Sequence, residues 1–101
     1  MKTLYLKPEK RRQVILGAAV EQAVEHGFHS ITRLSVANRI GCDPALVNHY
    51  FHPVARLRDA VMQHAVENGT LSIIAAGLVL RHPLALAAPV TLRRNAALSL
   101  S

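Results

Sequence analysis

Val36-Ala37-Asn38-Arg39-Ile40-Gly41-Cys42-Asp43-Pro44-Ala45-Leu46-Val47-Asn48-His49-Tyr50 is the stretch on which the fold turns. Ala37 sets a small side chain where two helices would cross most closely. Four residues on, Gly41 supplies a backbone that turns readily through the left-handed region. Six residues further, Val47 is apolar and placed to plug the angle between the helices. Val36, Ile40, Cys42 and Tyr50 add apolar positions around the same small core. Residue types matched at several fixed offsets are far more specific than a bare hydrophobic period. The segment predicts two short helices joined by a tight turn. The first is Arg33–Ile40 with Thr32 as its N-cap. The second starts after an Asp43 cap, with Pro44 at its first position, and ends at residue 50 or 51.

Working outward, almost every other segment also reads as helix, and no run alternates with period two. Residues 1–7 read as a loose arm. A first helix follows from Pro8 to His26, with Val14, Ile15, Ala18, Ala19 and Ala23 on one face and Gly27 as its stop. Phe28 and Ile31 are expected in the core. Pro53 separates the second short helix from one over residues 54–67, whose buried stripe is Leu57, Val61, Met62 and Ala65. Asn68-Gly69 ends it, and Thr70 is placed to cap a fifth helix through residue 80 or 81. His82-Pro83 breaks that helix, and Pro89 opens a last one carrying Arg93 and Arg94. The expected fold is all-α, with five or six helices.

The composition narrows the function classes. The 101 residues carry 12 basic and 6 acidic side chains, a net charge of +6, and half of them are hydrophobic. That length suits one small domain, and the apolar content excludes a disordered basic tail. One cysteine, Cys42, excludes a disulfide-stapled module. No signal peptide is evident. The longest uncharged run, residues 68–80, is 13 residues long, well short of the roughly 20 needed to span a bilayer. A cytoplasmic location without a membrane partner is expected. The positive charge points to an anionic partner, with nucleic acid first.

The spacing around Gly41 is that of a helix-turn-helix, in which the second helix enters the major groove of DNA. The wider pattern resembles the amino-terminal domain of the TetR family of repressors. The matching residues are Ile15-Leu16-x-Ala18-Ala19, Gly27-Phe28, Ile31-Thr32, Val36-Ala37, Gly41-Cys42-Asp43, Val47, Tyr50-Phe51 and Leu57. The likeness covers about residues 11–65. Within the family, Ala45-Leu46-Val47-Asn48-His49-Tyr50-Phe51 is most similar to the small KorC-type repressors of plasmids. The chain departs from the family at Asn48, where Tyr is usual, and at Val54, where Lys is usual, so the phosphate contacts made by those family residues do not carry over. Only about 35 residues follow the likeness, so no inducer-binding domain, and no small-molecule inducer, is expected.

The docking geometry assigns roles. Pro44, Ala45, Leu46, Asn48 and His49 are candidates for reading base edges. The Asn48 amide suits adenine, and Ala45 and Leu46 suit thymine methyls. Phosphate contacts are expected from Thr32 and Arg33 at a helix N-terminus, from Tyr50 and His52, and from Lys10, Arg11 and Arg12. The basic cluster sits at a helix start, where the helix dipole disfavours cations, which favours a functional reason for it. Arg39 and Arg56 read as surface residues.

Two histidine pairs, His26/His29 and His49/His52, have H-x-x-H spacing, but each straddles a helix end and no carboxylate or second cysteine completes a zinc set. No metal and no cofactor is expected. Cys42 reads as a buried structural thiol. With no nucleophile beside a base, no carboxylate pair and no glycine-rich phosphate loop, an enzyme is not expected.

Beyond Asn68 there is no acidic residue, and Leu71, Ile73, Ile74, Leu78, Val79 and Leu80 leave the fifth helix few polar faces. A helix apolar nearly all round must be covered by something. The sequence therefore reads as a DNA-binding part, residues 1–66, and a dimerisation segment, residues 67–101, with Leu71, Ile74 and Leu78 at the contact. The expected function is that of a repressor, a homodimer on an operator palindrome of double-stranded DNA. The competing class is a protein-interaction module, adaptor or antitoxin-like, that uses the same apolar helices. Sedimentation at micromolar concentration is expected to show a dimer; a monomer would remove this expectation.

Overall fold

The computed structural model describes residues 6–100, so most of the arm expected over residues 1–7 lies outside the described residues. Among them the chain is all-helical and no strand forms. Helix α1 is Pro8–His26, and a 3-10 turn, Phe28–Ser30, leads into α2, Arg33–Ile40. After a three-residue turn come α3, Pro44–Tyr50, and α4, Val54–Asn68. Helices α5, Leu71–Val79, α6, Pro83–Leu86, and α7, Val90–Leu98, complete the described chain.

Local chemistry accounts for most of these ends. Thr32 and Ser35 cap α2 reciprocally: each hydroxyl oxygen accepts the other's backbone N–H, both at 3.0 Å. Gly41 stops α2 in the left-handed region, at φ 70° and ψ 38°, and its N–H bonds the Ala37 carbonyl. Asp43 Oδ1 accepts the Ala45 N–H at 2.8 Å and starts α3, with Pro44 at its first position. Gly69, also left-handed, ends α4.

The sequence reading needs correction at three places. A short helix, α6, follows His82, where only a break was expected. His82 caps it: its Nδ1 accepts the Leu84 N–H at 3.2 Å, so the neutral ring carries its proton on Nε2, which donates to Asp59 Oδ1 at 2.9 Å. Thr70 stands at the N-cap of α5 without the expected side-chain cap; its backbone serves both helices, the N–H bonding the Ala65 carbonyl of α4 at 2.9 Å and the carbonyl accepting the Ile74 N–H at 3.1 Å. Cys42 is only half-buried; burial, and then the Asp43 carboxylate, push its thiol up from the ordinary value.

Helix α1 packs on α2 and α4, α2 on α3, and α5 on α4, α6 and α7. Ile15, Ala18, Ala19, Phe28, Val36, Ala37, Val47, Phe51, Leu57, Val61 and Met62 join Ile73, Ile74, Ala85 and Ala96 in one continuous core. Residue 66 lies inside α4, upstream of its end at Asn68. Helix α5 is thus covered largely within the chain: Ile73, Ile74, Ala75 and Gly77 are buried. Gly77 is where α5 comes closest to its neighbours. A Cβ built there would stand 2.6 Å from the Ala85 Cβ and 2.5 Å from the Met62 Cε. Met62 can bend away, but Ala85 is held by its own backbone.

Two glycines in helix interiors are therefore expected to respond oppositely to alanine. Gly17 is exposed and a Cβ there meets nothing within 4 Å, so Gly17→Ala should stabilise by up to about 1 kcal/mol through helix propensity. At Gly77 the same gain is outweighed by overpacking of about 1–3 kcal/mol, and Gly77→Ala should lower Tm. Thermal melts of both variants check the signs; a raised Tm for Gly77→Ala would contradict the close approach of α5 and α6.

Candidate nucleic-acid interface

The angle between α2 and α3 is set by burial. Ala37 and Val47 are both fully buried. With about 100° between successive helical residues, inward Val47 turns Ala45, Asn48 and His49 away from the core. Thr32, Arg33, Leu34, Pro44, Ala45 and Asn48 together line an open concavity of about 470 Å3 between the two helices. A smaller one, about 190 Å3, adjoins it and is lined by Arg33, Asn48, His52, Pro53 and Val54. Arg33 and Asn48 line both.

The start of α2 is electropositive for two reasons. The reciprocal cap uses the N–H groups of Thr32 and Ser35, which leaves those of Arg33 and Leu34 without a partner inside the helix. The positive end of the helix dipole and the exposed Arg33 guanidinium add to them. Thr32 contributes as well, since its hydroxyl oxygen accepts from Ser35 while the hydroxyl can still donate outward. An anion fits this end of the concavity, and the Asn48 amide offers hydrogen bonds further along.

The structure gathers part of the expected set and disperses the rest. Thr32, Arg33, Pro44, Ala45, Asn48 and His52 converge on the two concavities. His49 is exposed and stands edge-on to the Tyr50 ring, centroids 4.9 Å apart. Leu46 and Tyr50 are half-buried and pack against the core. Lys10, Arg11 and Arg12 diverge around α1. Arg11 Nε donates to the Leu6 carbonyl at 2.7 Å, and the Arg12 guanidinium lies 4.5 Å over the Phe51 ring, capping a buried aromatic face. Arg12 also borders a separate groove with His64 and Glu67. In the C-terminal third, Ile74 is fully buried and Leu71 and Leu78 are half-buried against the core.

Leu34 lines the larger concavity and is 60% exposed, yet the sequence reading passed over it. Val36, Ala37 and Ile40 define the inner face of α2, and residue 34 falls about a third of a turn from its centre, so helical periodicity alone does not mark it as outward. Arg39 has a structural place that the sequence did not disclose. Its guanidinium donates to Glu25 Oε2 at 2.7 Å and to Gln22 Oε1 at 3.0 and 3.2 Å, clamping α2 to α1. Arg58 likewise donates twice to the Ile31 carbonyl, at 3.0 and 3.1 Å, and fixes the entry to α2 from α4. Among the described residues, no three histidine, cysteine or acidic side chains come together as a metal site, and no helix is long and apolar enough to cross a membrane.

Comparison of the chain with protein-family models, curated proteins and solved structures gave no match.

The clamp behind α2 is expected to depend on pH. The Arg39 hydrogen bond, and then its charge, hold the Glu25 carboxyl below the ordinary glutamate range. A carboxyl with a lowered folded value stabilises the fold above the unfolded value, about 4.3, and loses that contribution as the pH falls through the folded one. The stability difference between wild type and Arg39→Met should therefore narrow from about pH 6 to about pH 3. A constant difference in denaturant melts across that range would mean that Arg39 acts through Gln22 and packing alone.

Proposed function

We propose that the chain is a sequence-specific DNA-binding repressor of transcription. In this reading, α2 and α3 form a helix-turn-helix of TetR type, and two copies bind a palindromic operator in the cytoplasm. The observation that carries the reading is that Thr32, Arg33 and Asn48 share one concavity with the small apolar Pro44 and Ala45, while Arg33 and Asn48 also line the adjoining one with His52. A base edge offers hydrogen-bonding atoms beside thymine methyls, and a phosphate lies alongside; this face offers counterparts to all three. The resemblance in the sequence around Gly41 supports the same reading from an independent direction.

The mechanism follows from the geometry. The outer face of α3 enters the major groove, where Asn48 and His49 meet base edges and Ala45 meets a methyl group. The N-terminus of α2, with Thr32 and Arg33, holds a phosphate of the flanking backbone and sets the register. Repression is by occupancy: a bound dimer excludes the transcription machinery from the overlapping sequence. Two copies place their α3 helices about 34–36 Å apart, one turn of the duplex. The C-terminal third supports self-association, since Val79, Leu80, Leu86, Val90, Leu98 and Leu100 are all exposed there, whereas Val24 and Leu34 are the other large exposed hydrophobics among the described residues.

A second reading, a protein-interaction module, is favoured by one feature. Val79 and Leu80, 68% and 61% exposed, border an apolar slot with Gly27, Phe28, His29 and Ala76. The two readings separate cleanly in solution. If DNA is the partner, affinity for duplex DNA should fall by on the order of tenfold or more between about 50 and about 200 mM salt, as the Arg33 side chains of two copies release counterions. Asn48→Ala combined with His49→Ala should abolish sequence preference while leaving sedimentation unchanged. A shallow salt dependence, or a double variant that binds as the wild type does, would favour the interaction module.

A further inference from the structure

Asn48 lies in the last turn of α3 and His52 two residues beyond its end at Tyr50, and His52 Nδ1 lies 2.9 Å from Asn48 Oδ1. An amide oxygen only accepts, so the imidazole donates here: Nδ1 carries the proton, and in the neutral ring Nε2 is the acceptor. The bond distinguishes the two ends of the amide. Oδ1 is held by His52, and the two N–H bonds of Nδ2 are left for a partner outside the pair. Asn48 lines both concavities, and His52 lines only the smaller one, together with Arg33. His52 Nδ1, engaged by the amide, cannot serve a phosphate without releasing it.

We propose that His52 is a positioning residue for base recognition, which holds Asn48 Oδ1 so that the amide presents a donor and selects a purine, guanine ahead of adenine. The proposal rests on the DNA-binding reading above. A freely turning asparagine pairs best with adenine, accepting from N6 while donating to N7. With one lone pair of Oδ1 accepting from His52 and the amide plane fixed by that bond, the adenine N6–H₂ has only the second lone pair, in a direction the amide cannot turn to suit. Guanine asks nothing of that oxygen: its N7 and O6 are both acceptors, and both can be met by the Nδ2 hydrogens. The pair Asn48–His52 thus acts as one reading unit whose preference differs from that of asparagine alone.

The test is selection of bound sites from a random-sequence duplex library, followed by affinities on duplexes varied at the enriched positions. Wild type, His52→Ala, His52→Asn and Asn48→Ala are compared. Asparagine at 52 sets its Nδ2 close to where the imidazole Nδ1 stood, and so keeps the donor while lacking Nε2. Wild type should prefer guanine over adenine at one position of each half-site. His52→Ala should move that position toward adenine by on the order of tenfold, within the span of one bidentate pair, with an unchanged salt slope. His52→Asn should restore the wild-type preference, and Asn48→Ala should erase the preference at that position alone.

Three results would overturn the proposal. One is that His52→Ala weakens binding equally on all sequences, lowers the salt slope by about one and is not rescued by His52→Asn, which is the behaviour of a phosphate contact. Another is that the guanine preference persists in Asn48→Ala. The third is that His52→Ala leaves both preference and affinity as they were. Enrichment of no sequence by the wild type would instead overturn the DNA-binding reading, and this proposal with it. Asn48 lies in the last turn of α3 and exposed His52 two residues beyond its end, and circular dichroism melts are to check that the variants compared are folded.

Discussion

The seating of Val47 against α2, across the left-handed turn at Gly41, is the contact on which the rest of the candidate interface depends. Helices α2 and α3 contain only 8 and 7 residues, fewer than the roughly 12–15 at which an isolated helix becomes marginally stable in water. Neither can hold its own orientation. Tertiary packing supplies it: Val47 is buried, Ala37 leaves room for the approach, and Gly41 reverses the chain without a Cβ clash. Everything on the outer face follows, because inward Val47 leaves Ala45, Asn48 and His49 facing outward. Two further anchors hold the pair from behind, Arg39 of α2 bonding Glu25 on α1 and Arg58 of α4 reaching the Ile31 carbonyl.

These anchors also sort the positive charge. A net charge of +6 suggests a diffuse basic surface, but the guanidinium groups have different surroundings. Arg39 lies among Glu21, Glu25 and Gln22, Arg58 caps a carbonyl, and Arg12 covers an aromatic ring. Arg33 stands at the mouth of the concavity, where the start of α2 adds its own positive end. Local direction matters more for an anion than the total charge, since exposed charges more than about 8–10 Å apart are largely screened at physiological salt.

In the C-terminal third, a largely apolar sequence has two destinations. Ile73, Ile74 and Ala75 complete the core that α1 and α4 begin, and Gly77 lets α6 close over them. His82 ties this layer down through Asp59 on α4, and its ring meets Phe28 edge-on at 6.0 Å. Most of α5 is therefore covered without a second chain. What remains outside is displaced toward Val79, Leu80 and α7, where Val90 and Leu98 are also exposed, while Ile74 is fully buried.

The sequence by itself determined the helices, their order and most of their ends. Pro8, Thr32, Asp43, Pro44, Gly41 and Gly69 act within a few residues of themselves, through capping bonds and allowed backbone angles, and such effects are legible without a fold. It also marked Ala37, Gly41 and Val47 as one unit, because close approach, turn and plug occur at fixed chain offsets. Only the tertiary structure decided the partners of long side chains. Arg39 bonds Glu25 14 residues away, Arg58 reaches Ile31 across 27, and His82 meets Asp59 across 23. A guanidinium or imidazole can serve a carboxylate, a carbonyl or a phosphate equally well by chemistry. Which one it serves is fixed by what the packing of α1, α2 and α4 brings within about 3 Å of it.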